Sequence, residues 1–168
     1  MMAKRIGWTM IQVALLGWSL MGCGSGHDHD HAGPDHGDEE THSHGHEHVA
    51  PHGGAAVVLG EELYHLEFVL SPESGLLSCY VLDGHMENFV RIAAEEISVT
   101  IDGETEVRLA AVANRATGEA VGSTSQFQAS VDWANEKQQF GATIPKIEVK
   151  GTVFDNVTFR YPEGNESE

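Results

Sequence analysis

The sequence predicts an all-β domain, a sandwich of eight or nine short antiparallel strands with a partly open barrel as the alternative, preceded by a disordered histidine-rich tether. Three observations lead there. From Pro51 onward, short apolar runs rich in Val, Ile, Phe and Tyr are broken by turn signals. No segment of that region sustains a helical period. Upstream, residues 27–48 read HDHDHAGPDHGDEETHSHGHEH, with no large apolar side chain to offset the entropy of ordering the chain.

In chain order the parts are a leader at 1–22, the tether at 23–50, the β-domain at 51–162 and a polar tail at 163–168. The leader opens with Lys4 and Arg5, then runs apolar from 6 to 21 with Thr9, Gln12 and Ser19 interspersed. A run of that length ending in small residues fits a cleaved export signal better than a permanent membrane helix. Leu20-Met21-Gly22-Cys23 resembles the lipobox of bacterial lipoproteins. The resemblance implies cleavage before Cys23, with lipid on its sulfur and on the new amino terminus. The expected location is therefore the bacterial cell envelope, facing the periplasm or exterior, with several acyl chains giving stable attachment to membrane lipid. An acylated Cys23 leaves Cys79 without an internal disulfide partner. Cys79 lies in the apolar run LLSCYVL and reads as a small buried hydrophobe.

The tether carries His27, His29, His31, His36, His42, His44, His46 and His48, interleaved with Asp, Glu, Ser and Gly. Imidazole ligates Zn, Cu, Ni and Co, and the carboxylates add oxygen ligands and negative field. Nothing in such a chain fixes coordination number or angle, so several weak, exchangeable metal sites are expected, with zinc the first choice of ion. Its root-mean-square reach is roughly 30 Å, enough to sweep a shell around the membrane anchor. Protonation of free imidazoles below roughly pH 6 competes with the metal and predicts release in acid.

Strands are expected near 55–59, 62–70, 76–82, 89–93, 96–101, 104–113, 125–131, 140–149 and 152–161. The segment at 71–75, SPESG, is a turn, and Asp102-Gly103 is a two-residue hairpin signal between EISVTI and ETEVRLAAV. Residues 114–122 form a loop, 133–139 one helical turn, and Gly151 breaks the chain before the last strand. The expected core draws on Leu66, Phe68, Tyr80, Leu82, Val99, Ile101, Val107, Leu109, Phe127, Ile144, Ile147, Phe154 and Phe159.

Within the domain, His52, His65 and His85 are the histidines outside the tether. In ELYHLEFVL the period of two puts Tyr64, Leu66, Phe68 and Leu70 on one face and His65 with Glu67 on the other. Asp83 and His85 end the next strand, and a hairpin around 71–75 brings His65 toward them, with His52 free to fold onto that open end. Three imidazoles with Glu67 or Asp83 suit zinc, or Cu(II) in a more planar arrangement. PHGG, YHLEFV and YVLDGH over residues 51–92 resemble a small periplasmic domain found with bacterial heavy-metal efflux systems, in His-rich lipoproteins and in extensions of membrane-fusion adaptors. That resemblance implies a metal-linked periplasmic role for His52, His65 and His85. The chain lacks the adaptors' long coiled-coil hairpin.

Charge narrows the partners. Losing Lys4 and Arg5 with the leader takes the formal charge from −17 to −19 and leaves seven Lys and Arg, too few for a nucleic-acid surface. No nucleophile motif, phosphate loop or HExxH occurs, so an enzyme is not expected. The leading expectation is an anchored protein that binds divalent transition metal and buffers it or delivers it to a transporter or efflux system. The alternative is an interaction module that docks to an envelope complex, with metal only regulatory.

Overall fold

The computed structural model describes residues 49–165. They form eight antiparallel strands: β1 (Ala55–Leu59), β2 (Tyr64–Ser71), β3 (Leu76–Asp83), β4 (Glu96–Ile101), β5 (Thr105–Ala111), β6 (Gln126–Ser130), β7 (Phe140–Val149) and β8 (Thr152–Tyr161). All belong to one sheet, in the order β1-β2-β3-β6-β5-β4-β7-β8. The two end strands, β1 and β8, come alongside each other, so the sheet rolls into a nearly closed barrel. The barrel alternative therefore replaces the two-sheet sandwich. Alternation marks which residues point inward but not whether the inward faces belong to two sheets or to one that curls.

Turn chemistry sets the hairpins. Asp102 and Gly103 both have positive φ (49° and 74°) at the centre of a turn closed by the Glu104 N–H donating to the Ile101 carbonyl (3.0 Å), in a connection of residues 102–104 that is one residue longer than the two-residue turn expected. Lys150 with Gly151 (51° and 87°) forms the two-residue turn between β7 and β8. The Asp102 carboxylate also accepts from Lys137 Nζ (2.6 Å) and the Gly141 N–H (2.8 Å), which fastens the β4–β5 hairpin to β7. The strand expected at 89–93 is instead a connecting segment with single bridges, Leu82 to Phe89 and Ile92 to Thr124. At 133–139 the chain makes a hydrogen-bonded turn, with the Glu136 and Lys137 N–H groups both donating to the Trp133 carbonyl.

The interior holds Leu66, Phe68 and Leu70 from β2, Leu77, Cys79 and Val81 from β3, and Val99, Ile101, Leu109, Phe127, Ile144, Ile147, Phe154 and Phe159 from the rest of the sheet. Phe68 stacks on Phe159 at 4.6 Å between ring centroids. Tyr80, expected in the core, is half-buried on the opposite face of β3. The run LLSCYVL is apolar at nearly every position, so its period alone does not give the phase.

The β1–β8 seam is sealed by residues that read as a loose tail in the sequence. Asn165 Oδ1 accepts from the Val58 N–H (2.7 Å) and Asn165 Nδ2 donates to the Val58 carbonyl (3.3 Å). Its own N–H donates to the Ala56 carbonyl (3.3 Å). The preceding Gly164 has φ of 86°, and a Cβ there would overlap the Ala56 carbonyl. Backbone groups left bare on an edge strand are thereby paired.

Candidate functional site

The arrangement richest in chemistry lies on the outer face of β2 and β3. Glu67 stands opposite Tyr80 and His65 opposite Leu82 across the hairpin. Both Glu67 and His65 are fully buried although they face away from the core. What covers Glu67 is the Pro51-His52-Gly53-Gly54 loop. Pro51 and Gly53 occupy the second and fourth positions of a turn closed by the Gly53 N–H donating to the Ala50 carbonyl (3.0 Å), a placement that type I turns favour. Gly54 follows where a Cβ would overlap the Phe68 carbonyl, so only glycine lets the loop lie this close to β2.

The loop delivers three donors to one carboxylate. Glu67 Oε1 accepts from the His52 N–H (2.7 Å) and the Gly54 N–H (3.0 Å). Glu67 Oε2 lies 2.7 Å from His52 Nδ1. The imidazole stacks on Tyr80 with centroids 4.0 Å apart and an interplanar angle of 15°, and Phe89 sits 5.8 Å away, tilted. The His52 side chain is 36% exposed while that of Glu67 is 0% exposed. A carboxylate oxygen facing Nδ1 can accept the hydrogen that this ring nitrogen carries. Burial first, and the Glu67 charge second, hold the Tyr80 phenol above its ordinary value of 10.0. The same two causes push the Cys79 thiol well above its ordinary range, which makes it an inert core residue and not a thiolate ligand.

The other sequence candidates are placed differently. His65 Nδ1 lies 3.2 Å from the backbone carbonyl of Asp83, not from its carboxylate. The Asp83 carboxylate caps the following turn: Oδ1 accepts from the Glu87 N–H (3.0 Å) and the Asn88 N–H (3.2 Å), and Oδ2 from Asn88 Nδ2 (2.6 Å). Partial burial opposes ionisation there, and these hydrogen bonds outweigh it, so Asp83 sits below its ordinary value of 3.8. His85 is exposed on that turn. His52 folds onto Glu67 and Tyr80, which face each other midway along the β2–β3 hairpin. Among the described residues no three His, Cys, Asp or Glu side chains gather as a group that could hold a metal. Cys23 and the tether histidines from His27 to His48 lie outside the described residues. Sequence reasoning missed Tyr80 and Phe89 as the walls around His52. Their signal was the pairing of Tyr80 with Glu67, which the hairpin register contains.

Fold and site together define a small single-sheet β-barrel whose amino-terminal loop clamps a buried carboxylate with a stacked histidine. No protein-family model matches this chain, and neither a curated protein nor a solved structure shows significant similarity to it.

Proposed function

We propose that the protein is a lipid-anchored extracytoplasmic lipoprotein that binds divalent transition metal, zinc foremost and Cu, Ni or Co in its place, and buffers the ion or delivers it to a transporter or efflux system. The observation that carries this reading is the density of histidine in residues 27–48, eight among twenty-two, interleaved with carboxylates in a chain of charge −17. The reading draws its metal capacity from the tether; in the domain, Glu67 and Asp83 accept hydrogen bonds from neighbouring groups. The lipobox-like Leu20-Met21-Gly22-Cys23 supports an anchor at the envelope.

Calorimetric titration of zinc into the mature chain, residues 23–168, tests it. Several weak sites are expected near pH 7.5, lost when the eight tether histidines are replaced by glutamine and reduced near pH 5.5, where protons compete for the imidazoles. A mature chain that takes up no zinc at either pH sinks the reading. A second reading then stands, an accessory module docking to an envelope complex. It draws support from Phe89, 51% exposed beside His52.

A further inference from the structure

We infer that the outer face of the β2–β3 hairpin, where Phe89, His52 and Tyr80 meet, docks a basic segment of a partner protein through an arginine side chain set on the Phe89 ring. The inference rests on the docking reading above and gives it a surface and a partner chemistry; the metal reading does not enter.

Two segments far apart in sequence build this face. The loop at 51–54 lays His52 on Tyr80, with ring centroids 4.0 Å apart. The turn after β3 brings Phe89 to 5.8 Å from His52 and 6.1 Å from Tyr80, tilted to both. Phe89 is 51% exposed, and the turn holds it there. The Asp83 N–H donates to the Asn88 carbonyl (2.9 Å) and the Val90 N–H to the Val81 carbonyl (2.8 Å), while the Asp83 carboxylate accepts from the Glu87 and Asn88 N–H groups. An exposed ring on a fixed backbone loses little conformational freedom when a partner covers it. Amide groups flank the rings: Gln126 Nε2 donates to Tyr80 Oη (3.2 Å), and Gln128 Nε2 to Ser78 Oγ (3.0 Å). An apolar centre with a polar rim is the ordinary anatomy of a protein interface.

Charge selects the partner. Residues 49–90, which supply β1, β2, β3 and both covering segments, contain six Asp and Glu and no Lys or Arg. The seven Lys and Arg of the domain all come later in the chain. Arg91, the first of them, engages the Thr117 and Gly118 carbonyls and Glu119. The field over this face therefore draws a basic segment and repels acidic proteins and anionic lipid. A guanidinium is also what the face of an exposed ring attracts through its quadrupole, and arginine is enriched at the energetic centres of interfaces.

The test is residue-resolved NMR of the mature chain, residues 23–168, near pH 7.5. The probe is a capped glycine-serine peptide with two arginines, and its control carries norleucine in place of each arginine. The arginine peptide should shift the Phe89, His52 and Tyr80 resonances along one saturating curve, and the norleucine peptide should not. Phe89→Leu keeps an apolar side chain without a π face at a half-exposed position. It should bind the arginine peptide about 2–5-fold more weakly at this face, with thermal unfolding unchanged.

Equal shifts from the norleucine peptide, or equal affinity in Phe89→Leu, overturn the inference. Saturable arginine binding centred elsewhere on the barrel also overturns it and leaves the docking reading standing with another surface. No shift of any domain residue by either peptide overturns both. Shifts at Phe89 from vesicles of phosphatidylethanolamine and phosphatidylglycerol, with none from the arginine peptide, overturn it in favour of a membrane-facing surface. The wild-type spectra decide the matter even if Phe89→Leu fails to fold.

Discussion

Glu67 shows how one side chain can organise a surface. A buried carboxylate is costly to desolvate and persists only where donors replace water. Here the His52 N–H, the Gly54 N–H and His52 Nδ1 do so, and they lie 13 to 15 residues earlier in the chain. Truncation to alanine leaves those donors facing an apolar hole. Glu67→Ala should lower unfolding stability by about 3 kcal/mol, measured as a drop in the urea midpoint at constant slope. A loss well under about 1 kcal/mol would mean that the loop is held elsewhere. That His65 and Glu67 share a face was legible from the alternation in YHLEFV. That Glu67 meets His52 was not, because no local pattern says where a Pro-His-Gly-Gly loop will land.

At the scale of elements, the barrel depends on its seam. Edge strands expose a row of unpaired N–H and carbonyl groups, and β1 has that row capped at Val58 by both ends of the Asn165 amide. Tyr161 adds a second link, its Oη accepting from the Leu70 N–H at 3.2 Å. Asn165→Ala should cost about 1–2 kcal/mol of stability. It should also raise hydrogen exchange at the Val58 amide more than at amides within the β4–β5 hairpin. Uniform acceleration, or none, would contradict a role at the seam. Most strand positions were readable in the sequence because turn residues bracket them, Asp102-Gly103 above all. The seam was not, since Gly164 and Asn165 resemble any polar terminus until β1 lies beside them.

For the whole molecule, acidic charge sets the pH response. Asp102 lies below its ordinary value of 3.8, through its hydrogen bond from Lys137 and then that from Gly141. Glu119 lies below 4.5: partial burial works against this, and hydrogen bonds from Ser125 and Thr117 with the Arg91 charge prevail. Asp83 is lowered as well. A carboxylate whose folded value is depressed contributes stability above its unfolded value and loses that contribution as pH falls through the folded value. At the alkaline end Cys79 and Tyr80 are raised, so the unfolded chain ionises first and stability falls again. The urea midpoint should therefore be nearly flat from about pH 5 to 8, declining below about pH 4 and above about pH 9. Asp102→Asn should make the acid decline shallower. An unchanged acid limb would remove Asp102 from this account.

Composition and periodicity alone determined that residues 27–48 are a polar, ligand-dense stretch and that an all-β domain follows it. These properties are local: side-chain chemistry, alternation and turn preference act within a few residues of one another. Only the tertiary structure decided that the strands form one rolled sheet, that Leu77, Cys79 and Val81 rather than Tyr80 face the core, and that Glu67 meets His52. Each of those depends on contacts between segments far apart in sequence, where many pairings are compatible with the same pattern and packing of the whole selects one.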